Sequence, residues 1–563
     1  MVQDMMDPEF YVTKNDGGRF MKYKDATTTT TTTMNLAERQ PIVLVPLPFV
    51  SDWFHNYNDN NRSTNTVVEA NVESKSSRKR PFNHGNENNH GCSKMNKKLS
   101  PAWDSNPHTF SQDSNDSSNS SHLSDQNPNM KEDWWPQGCM GSQPDQCAIL
   151  AKVDYDDFPK KKKFQLNSIV QVIGILGSSN DDDDEGDGNN DEMMMDLDVW
   201  EDAFVQIPSS LPRLFVLNYQ PLELNSMTLS HIPPPTTTLS FDDDRAFTIQ
   251  MLNENVFHGN HKVAAEALLV SLLSMAERKK IDDTVIQMPS GSTLGCASLK
   301  LLVGENDTFS FCRTLHSVLK EILPIVTKVD LYLSLLNAPP LTTTTTSMLH
   351  PIVAPEKNHH GRMDPSIMQL PKSSCMILNE GALTPGSLHA KGQRALECLS
   401  KLTQHHSIPY QFGGMMEIPF EADYRMIVVS KSEQKQQPPH QTNNKLMPCH
   451  LVMKIGKMRI EDNDDDGRST CALPVEAAIR VRSYLAKCRS YGNVDLSQEV
   501  LKTAERVFLE RRQSHKETVR EDDFHRWLTL TRLQARSRQQ QMAQIEDWNA
   551  ALRLDDSMFQ SRS

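Results

Sequence analysis

From Asn56 to about Gln146 the chain is written in Asn, Ser, Asp, Lys and His, with few aliphatic residues. A stretch of that kind cannot bury enough apolar surface to offset the entropy lost on ordering. Residues 55–146 are therefore expected as a disordered linker, and any fold has to be assembled from the islands on either side. An acidic run, Asn180 to Asp198, interrupts the second island and reads as an insertion, as do the Thr tracts at 27–33 and 342–346. A Gln-rich stretch, Ser432 to Asn444, and an Asp-rich one, Glu461 to Gly467, flank a further short strand from His450 to Ile455.

Charge and cysteine usage narrow the class. Against 59 basic side chains stand 72 acidic ones, and the net charge of -13 argues against a basic coat protein for nucleic acid. The cysteines contain no C-x-x-C pair, so neither a disulfide framework nor a zinc knuckle is present, and a reducing compartment fits best. The longest apolar stretch, Val263 to Ala276, is too short for a bilayer and carries Glu266, and no basic-then-apolar leader opens the chain. A soluble intracellular protein is expected.

Hydrophobic period then separates the islands. Pro41 to Val50, Cys147 to Val153 and Ser168 to Leu176 are short apolar runs split by turn-rich sequence, and predict a small β domain. Val263 to Met275 is apolar on most sides and predicts a buried helix; Lys300 to Val303 and Met376 to Leu378 predict strands, and Phe311 to Leu323 an amphipathic helix. Helices alternating with short strands indicate α/β. Beyond Leu473, apolar positions mark three helices, the second capped by Ser497 and the third by a Thr518/Glu521 capping box.

Taken together, VQDMMDPEFYV at the start, LAERQPIVLVPLP, SIVQVIGIL, LPRLFVL at Leu211 to Leu217, AAEALLVSLLS and the C-terminal helices, in that order, resemble the mini-chromosome maintenance (MCM) complex-binding protein family. In that family the counterpart of Val2 to Tyr11 lies well inside the chain, so the resemblance implies an N-terminal truncation. It also implies an OB-like β domain from 1–54 and 147–220, a degenerate AAA+-like α/β domain from 245–456, a helical lid-like bundle from 473–540 and a tail from 541–563.

A more distant similarity, to MCM helicase subunits, extends to single positions. The segment FHGNHKVAAEALLVSLL looks like an eroded phosphate-binding loop and its helix. A working loop needs glycines so that backbone N–H groups cradle phosphate, a Lys on the phosphates and a Ser/Thr on magnesium. Gly259 survives, while Ala265 stands in place of the Lys and Glu266 in place of the Ser/Thr. CMILNE has the shape of the second nucleotide motif, with Asn379 in the Asp position before Glu380; a hard cation prefers a carboxylate to an amide. In the lid, Asp522 aligns with the arginine that would reach the γ-phosphate. The plain readings beside these are a helix-start turn at Gly259 and a polar strand end at Asn379 and Glu380.

Two basic clusters, Arg78, Lys79 and Arg80, then Lys94, Lys97 and Lys98, have the spacing of a bipartite nuclear-import signal. Asp181 to Asp184 and Lys160 to Lys163 read as solvated surface. The bundle from Leu473 to Arg538 holds fourteen Lys/Arg against nine Asp/Glu, a surplus of five positive charges. That surplus fits subunit packing better than base reading, because no base-reading motif is present. The pairs His359-His360 and His405-His406, and Cys449-His450, lack a second pair at ligand spacing, so no metal site is expected.

The expectation is a nuclear, non-enzymatic partner of MCM helicase subunits that reaches chromatin only indirectly, with no cofactor, small-molecule substrate or membrane. By the resemblance it would join alternative MCM complexes, promote MCM release from chromatin and support sister-chromatid cohesion. An active AAA+ ATPase and a DNA-binding factor using the basic lid are the alternatives.

Overall fold

Ile42 and Val43 are neighbours in one strand, and neither is exposed to solvent. Successive strand residues face opposite sides of a sheet, so both faces of this sheet are covered. The computed structural model describes residues 1–6, 9–14, 35–54, 148–158, 161–177, 211–232, 240–279, 284–288, 291, 293–304, 308–337, 352, 354–357, 363, 366–412, 416–432, 446–456, 473–514 and 519–562. The expected linker at 55–146, the acidic insertion at 180–198, the import-signal cluster residues and His359-His360 lie outside them.

The β domain is one six-stranded sheet. Strands β1 (Val2–Met5), β3 (Asn35–Leu44), β4 (Ile149–Val153), β6 (Arg213–Leu222) and β5 (Ile169–Gly177) follow one another in that order, with β2 (Glu9–Lys14) beside β3. All pairs are antiparallel except β4 with β6. Val2 exchanges backbone hydrogen bonds with Asn167 and Ser168, just before β5, so the outer strands meet at one end as in a partly closed barrel. One face packs Met1, Met6, Val43 and Leu150; the other packs Val2, Ile42, Ala151, Val153 and Phe164.

After helices α1 (Leu224–His231), α2 (Phe241–Phe257) and α3 (Lys262–Leu273) comes a five-stranded parallel sheet. Its strands are β7 (Leu299–Val303), β8 (Val326–Asp330), β9 (Cys375–Asn379), β12 (Arg425–Lys431) and β13 (Leu451–Lys454), in the order β13-β7-β12-β9-β8. Helices α4 (Thr308–Ile322), α5 (Leu333–Leu336) and α6 (Ala390–His405) and the hairpin of β10 (Ser407–Phe412) and β11 (Met416–Glu421) complete the domain. Strands buried on both faces read as unbroken apolar runs, as in Met426–Val429. The predicted buried helix is α3, with nine of its twelve residues buried.

The C-terminal bundle departs from expectation in three ways. First, residues 541–563 are not a tail: Ile545–Arg562 is a helix, α10, following α7 (Val475–Ser490), α8 (Gln498–Ser514) and α9 (Glu521–Ser537). Trp548, Ala551, Leu554 and Met558 recur at helical spacing and are buried, and Asp555 accepts from the Trp527 indole at 2.7 Å. Second, α8 is capped by Ser497 as predicted, through its hydroxyl and the Val500 N–H, but α9 begins with Asp523 accepting from the Arg520 N–H at 2.8 Å. Thr518 of the expected capping box lies outside the described residues. Third, besides its own cluster of Val500, Ala504, Trp527 and Trp548, the bundle shares a core with the sheet. Val481, Leu485, Leu530, Leu533 and Met558 belong to one apolar cluster with α3 and the sheet residues Leu301, Ile377 and Val429.

The β domain is fastened to the α/β core as well. Ser51 donates to Leu323 O at 2.7 Å, the Trp53 indole to Lys320 O at 3.0 Å and Asn167 to the Tyr410 hydroxyl at 2.7 Å, while the Arg482 guanidinium lies 4.0 Å from the Trp53 ring centre. No helix among the described residues is long and apolar enough to cross a membrane.

Candidate functional site

A phosphate-binding loop joins a strand to the helix that follows it. In this fold that junction is residues 304–307, between β7 and α4. The sequence from Gly304 to Thr308, GENDT, contains one glycine and no lysine. The segment expected to carry the eroded loop has a different context: Gly259, Ala265 and Glu266 follow helix α2 and lead into helix α3. Gly259 ends α2 at a φ of 81°, and its N–H donates to Asn253 O at 2.8 Å, the plain helix-end turn. Ala265 is wholly buried inside α3. Glu266 accepts from Arg245 at 2.6 Å and from Gln534 at 3.1 Å, fixing α3 to α2 and α9.

Asn379 and Glu380 do sit where an apolar strand of the parallel sheet ends, as the motif requires. Both side chains are already engaged. The Asn379 amide donates to Asp330 at the end of β8 at 2.7 Å, and Asp330 is also bound by Lys328 at 2.7 Å. The Glu380 carboxylate lies 2.6 Å from the ammonium of Lys300 on β7, with side-chain exposures of 9% and 1%. Beside them Gly381 packs so tightly on Thr308, the first residue of α4, that a Cβ there would come within 2.8 Å of its side chain. A magnesium nucleotide needs a free carboxylate for the cation and a lysine for the phosphates. Here the carboxylate and the lysine neutralise each other, so these residues do not fit that cofactor. Asp522 is exposed in the first turn of α9, where a carboxylate complements the helix dipole. Among the described residues no group of three or more His, Cys, Asp or Glu is arranged to hold a metal.

Eight of the bundle's fourteen Lys/Arg are engaged in ion pairs within the chain, while Lys502, Arg506 and Arg512 on α8 stay exposed. Arg480 meets Asp244, Arg482 Glu321, Arg489 Asp423, Arg511 Asp556, Arg526 Asp523 and Asp555, and Arg538 Asp547. Arg532 and Arg536 face Glu277 at 3.6 and 3.9 Å. Burial pushes the Glu277 carboxyl up, opposed by those two arginines. A nucleic-acid patch needs a row of free cations, and these eight arginines are already engaged with carboxylates. Lys161 is similarly occupied, donating to Tyr219 O at 2.8 Å; Lys160 is outside the described residues.

Of the remaining candidates His406 is buried and His405, Cys449 and His450 are half-buried. His406 and His450 are stacked with ring centres 5.8 Å apart, and the Ser298 hydroxyl lies 2.9 Å from Nδ1 of His450. Burial lowers their pKa values to about 4 and about 3. The thiols of Cys375, Cys449 and Cys488 are pushed up to about 12, again by burial, which keeps them as unreactive thiols.

Comparison with known proteins follows the same outline. The mini-chromosome maintenance replisome factor family matches residues 1–561. The chain belongs to that family. Among relatives, a mini-chromosome maintenance complex-binding protein of Arabidopsis thaliana is 25% identical over 73% of this chain, and the alignment spans 62% of that protein, less than two thirds of its length. The protein of that name from Salmo salar is 23% identical over 99% of this chain and 86% of its own. A full-length MCM homolog from Methanopyrus kandleri, known from its crystal structure, overlaps 75% of this chain and 73% of its own at 13% identity, with a TM-score of 0.44.

Two outcomes follow from this geometry. Lys300→Ala strands a buried carboxylate and is expected to cost about 3–5 kcal/mol in denaturant unfolding, whereas Lys300→Met with Glu380→Leu, which removes both charges, restores most of that loss. The histidines predict acid lability. Their folded pKa values lie below the 6.5 of the free group, so below pH 6.5 the unfolded state takes up protons that the folded state refuses. Stability should be complete above about pH 6.5 and fall as the pH drops toward 4, and His450→Gln should make unfolding midpoints less steep across that window.

Proposed function

We propose that this chain is a non-enzymatic binding partner of the MCM replicative helicase. It associates with MCM subunits in alternative complexes, promotes their release from chromatin during or after DNA replication, and so supports sister-chromatid cohesion. The observation that carries the reading is the family match over residues 1–561, with relatives named for binding the MCM complex. The strand-end site supports its non-enzymatic part: Glu380 is held by Lys300, and the sequence from Gly304 to Thr308 carries no lysine to meet a phosphate. A subunit-like protein of this kind offers neighbours an interface without contributing an ATP site. The internally paired arginines of the bundle weigh against the DNA-binding reading.

Action on MCM requires entry to the nucleus, for which we assign Arg78, Lys79 and Arg80 with Lys94, Lys97 and Lys98 as the import signal. Replacing Arg78, Lys79 and Arg80 by Ala should move a fluorescent fusion to the cytoplasm; unchanged nuclear accumulation with Lys97 and Lys98 also replaced removes the signal.

Association is tested with purified proteins. Full-length chain and a version lacking residues 60–129 should both capture MCM subunits, because a stretch so poor in apolar residues supplies little interface core. Deleting from Leu473 onward is not a usable counterpart, since Val481, Leu530 and Met558 belong to the core that covers the sheet. Capture lost with residues 60–129 would place the interaction in the linker instead.

A further inference from the structure

A cleft of about 200 Å³ opens between α2, α3, the end of α9 and α10, lined among others by Arg245, Val263, Glu266, Arg538, Arg553 and Leu554. Two of its three arginines are fixed from behind. Arg245 donates to Glu266 at 2.6 Å, to Gln534 at 2.8 Å and to Ser537 at 2.9 Å. Arg538 pairs at 2.5 Å with Asp547, which is 1% exposed. Arg553 is exposed, and its side chain makes no hydrogen bond or ion pair among the described residues. Three arginines against Glu266 and Asp547 leave one positive charge, and Arg553 carries it.

We propose that this cleft receives an acidic side chain, Asp or Glu, of a partner protein. The inference deepens the reading above and rests on it, the partner being an MCM subunit. A guanidinium binds a carboxylate through two parallel N–H groups, and Arg553 has its whole fork free. Arg245 and Arg538 are held by their own partners, so they frame the anion without losing side-chain freedom on binding. Val263 and Leu554 border a cleft whose lining is otherwise mostly polar, so recognition there rests on charge and geometry. The volume suits a single carboxylate side chain. A nucleic-acid backbone is the poorer match, because it needs several free cations in a row, whereas this wall has one and also carries Glu266.

The test uses full-length chain and purified MCM complex, with affinity read by biolayer interferometry and folding by thermal unfolding. Arg553→Glu is expected to weaken binding about 10-fold or more without moving the unfolding midpoint, while Arg553→Lys, which keeps the charge but not the fork, loses part of the affinity and less than Arg553→Glu. Should Arg553→Glu prove unstable, Arg553→Gln gives the same comparison with a smaller loss. Wild-type binding that Arg553→Glu leaves unchanged overturns the cleft and spares the MCM reading. Failure of the wild-type chain to bind MCM at all overturns that reading, and this inference with it. Loss of duplex-DNA binding in Arg553→Glu, with MCM binding intact, assigns the cleft to phosphate and overturns the proposal.

Discussion

Everything C-terminal in this molecule depends on the burial of the helix Lys262–Leu273. Its apolar residues face the parallel sheet on one side and the bundle on the other, so sheet and bundle share a core. A closing lid needs an interface that can part at modest cost. Here parting would expose Leu530, Leu533, Val481 and Leu485 and break the buried pairs of Arg489 with Asp423 and of Arg532 and Arg536 with Glu277. Burial of that kind makes the bundle part of the scaffold rather than a moving cover.

The same economy governs charge. Ionisable side chains are paired within the chain: Lys300 with Glu380 at the strand-end site, Lys328 with Asp330 beside it, and Arg245 with Glu266 between helices. The buried one of these, Lys300 with Glu380, adds little net stability but is expensive to break from one side, so it resists opening to a ligand.

Period and turn chemistry made part of the fold legible in the sequence, while helices α2 and α6 and strands β8 and β12 went unread. Apolar runs announced three of the five parallel strands, β7, β9 and β13, the all-round apolar pattern announced the buried helix, and Ser497 announced the start of α8. Local pattern failed where context was decisive. FHGNHKVAAEALLVSLL matched a phosphate loop in its glycine and its helix, yet the element before it is a helix, which no single motif reveals. The strand and helix that flank the true junction, at Lys300 to Val303 and from Phe311, were both legible; the loop between them has lost the Gly-Lys signature that would mark it. The Lys300–Glu380 pair joins residues far apart in the chain, and only the strand order brings them together. The last helix was concealed by its position, although Trp548, Ala551, Leu554 and Met558 carry its period plainly.

The claim on which the account turns is that the strand-end site of the parallel sheet is closed to nucleotide. Amide hydrogen exchange of the full-length chain with and without saturating magnesium ATP measures this directly, followed in peptides covering Leu299–Ile322 and Cys375–Ala382. The account predicts identical exchange in both conditions. Protection of these two segments by magnesium ATP, lost in Glu380→Gln, would contradict it.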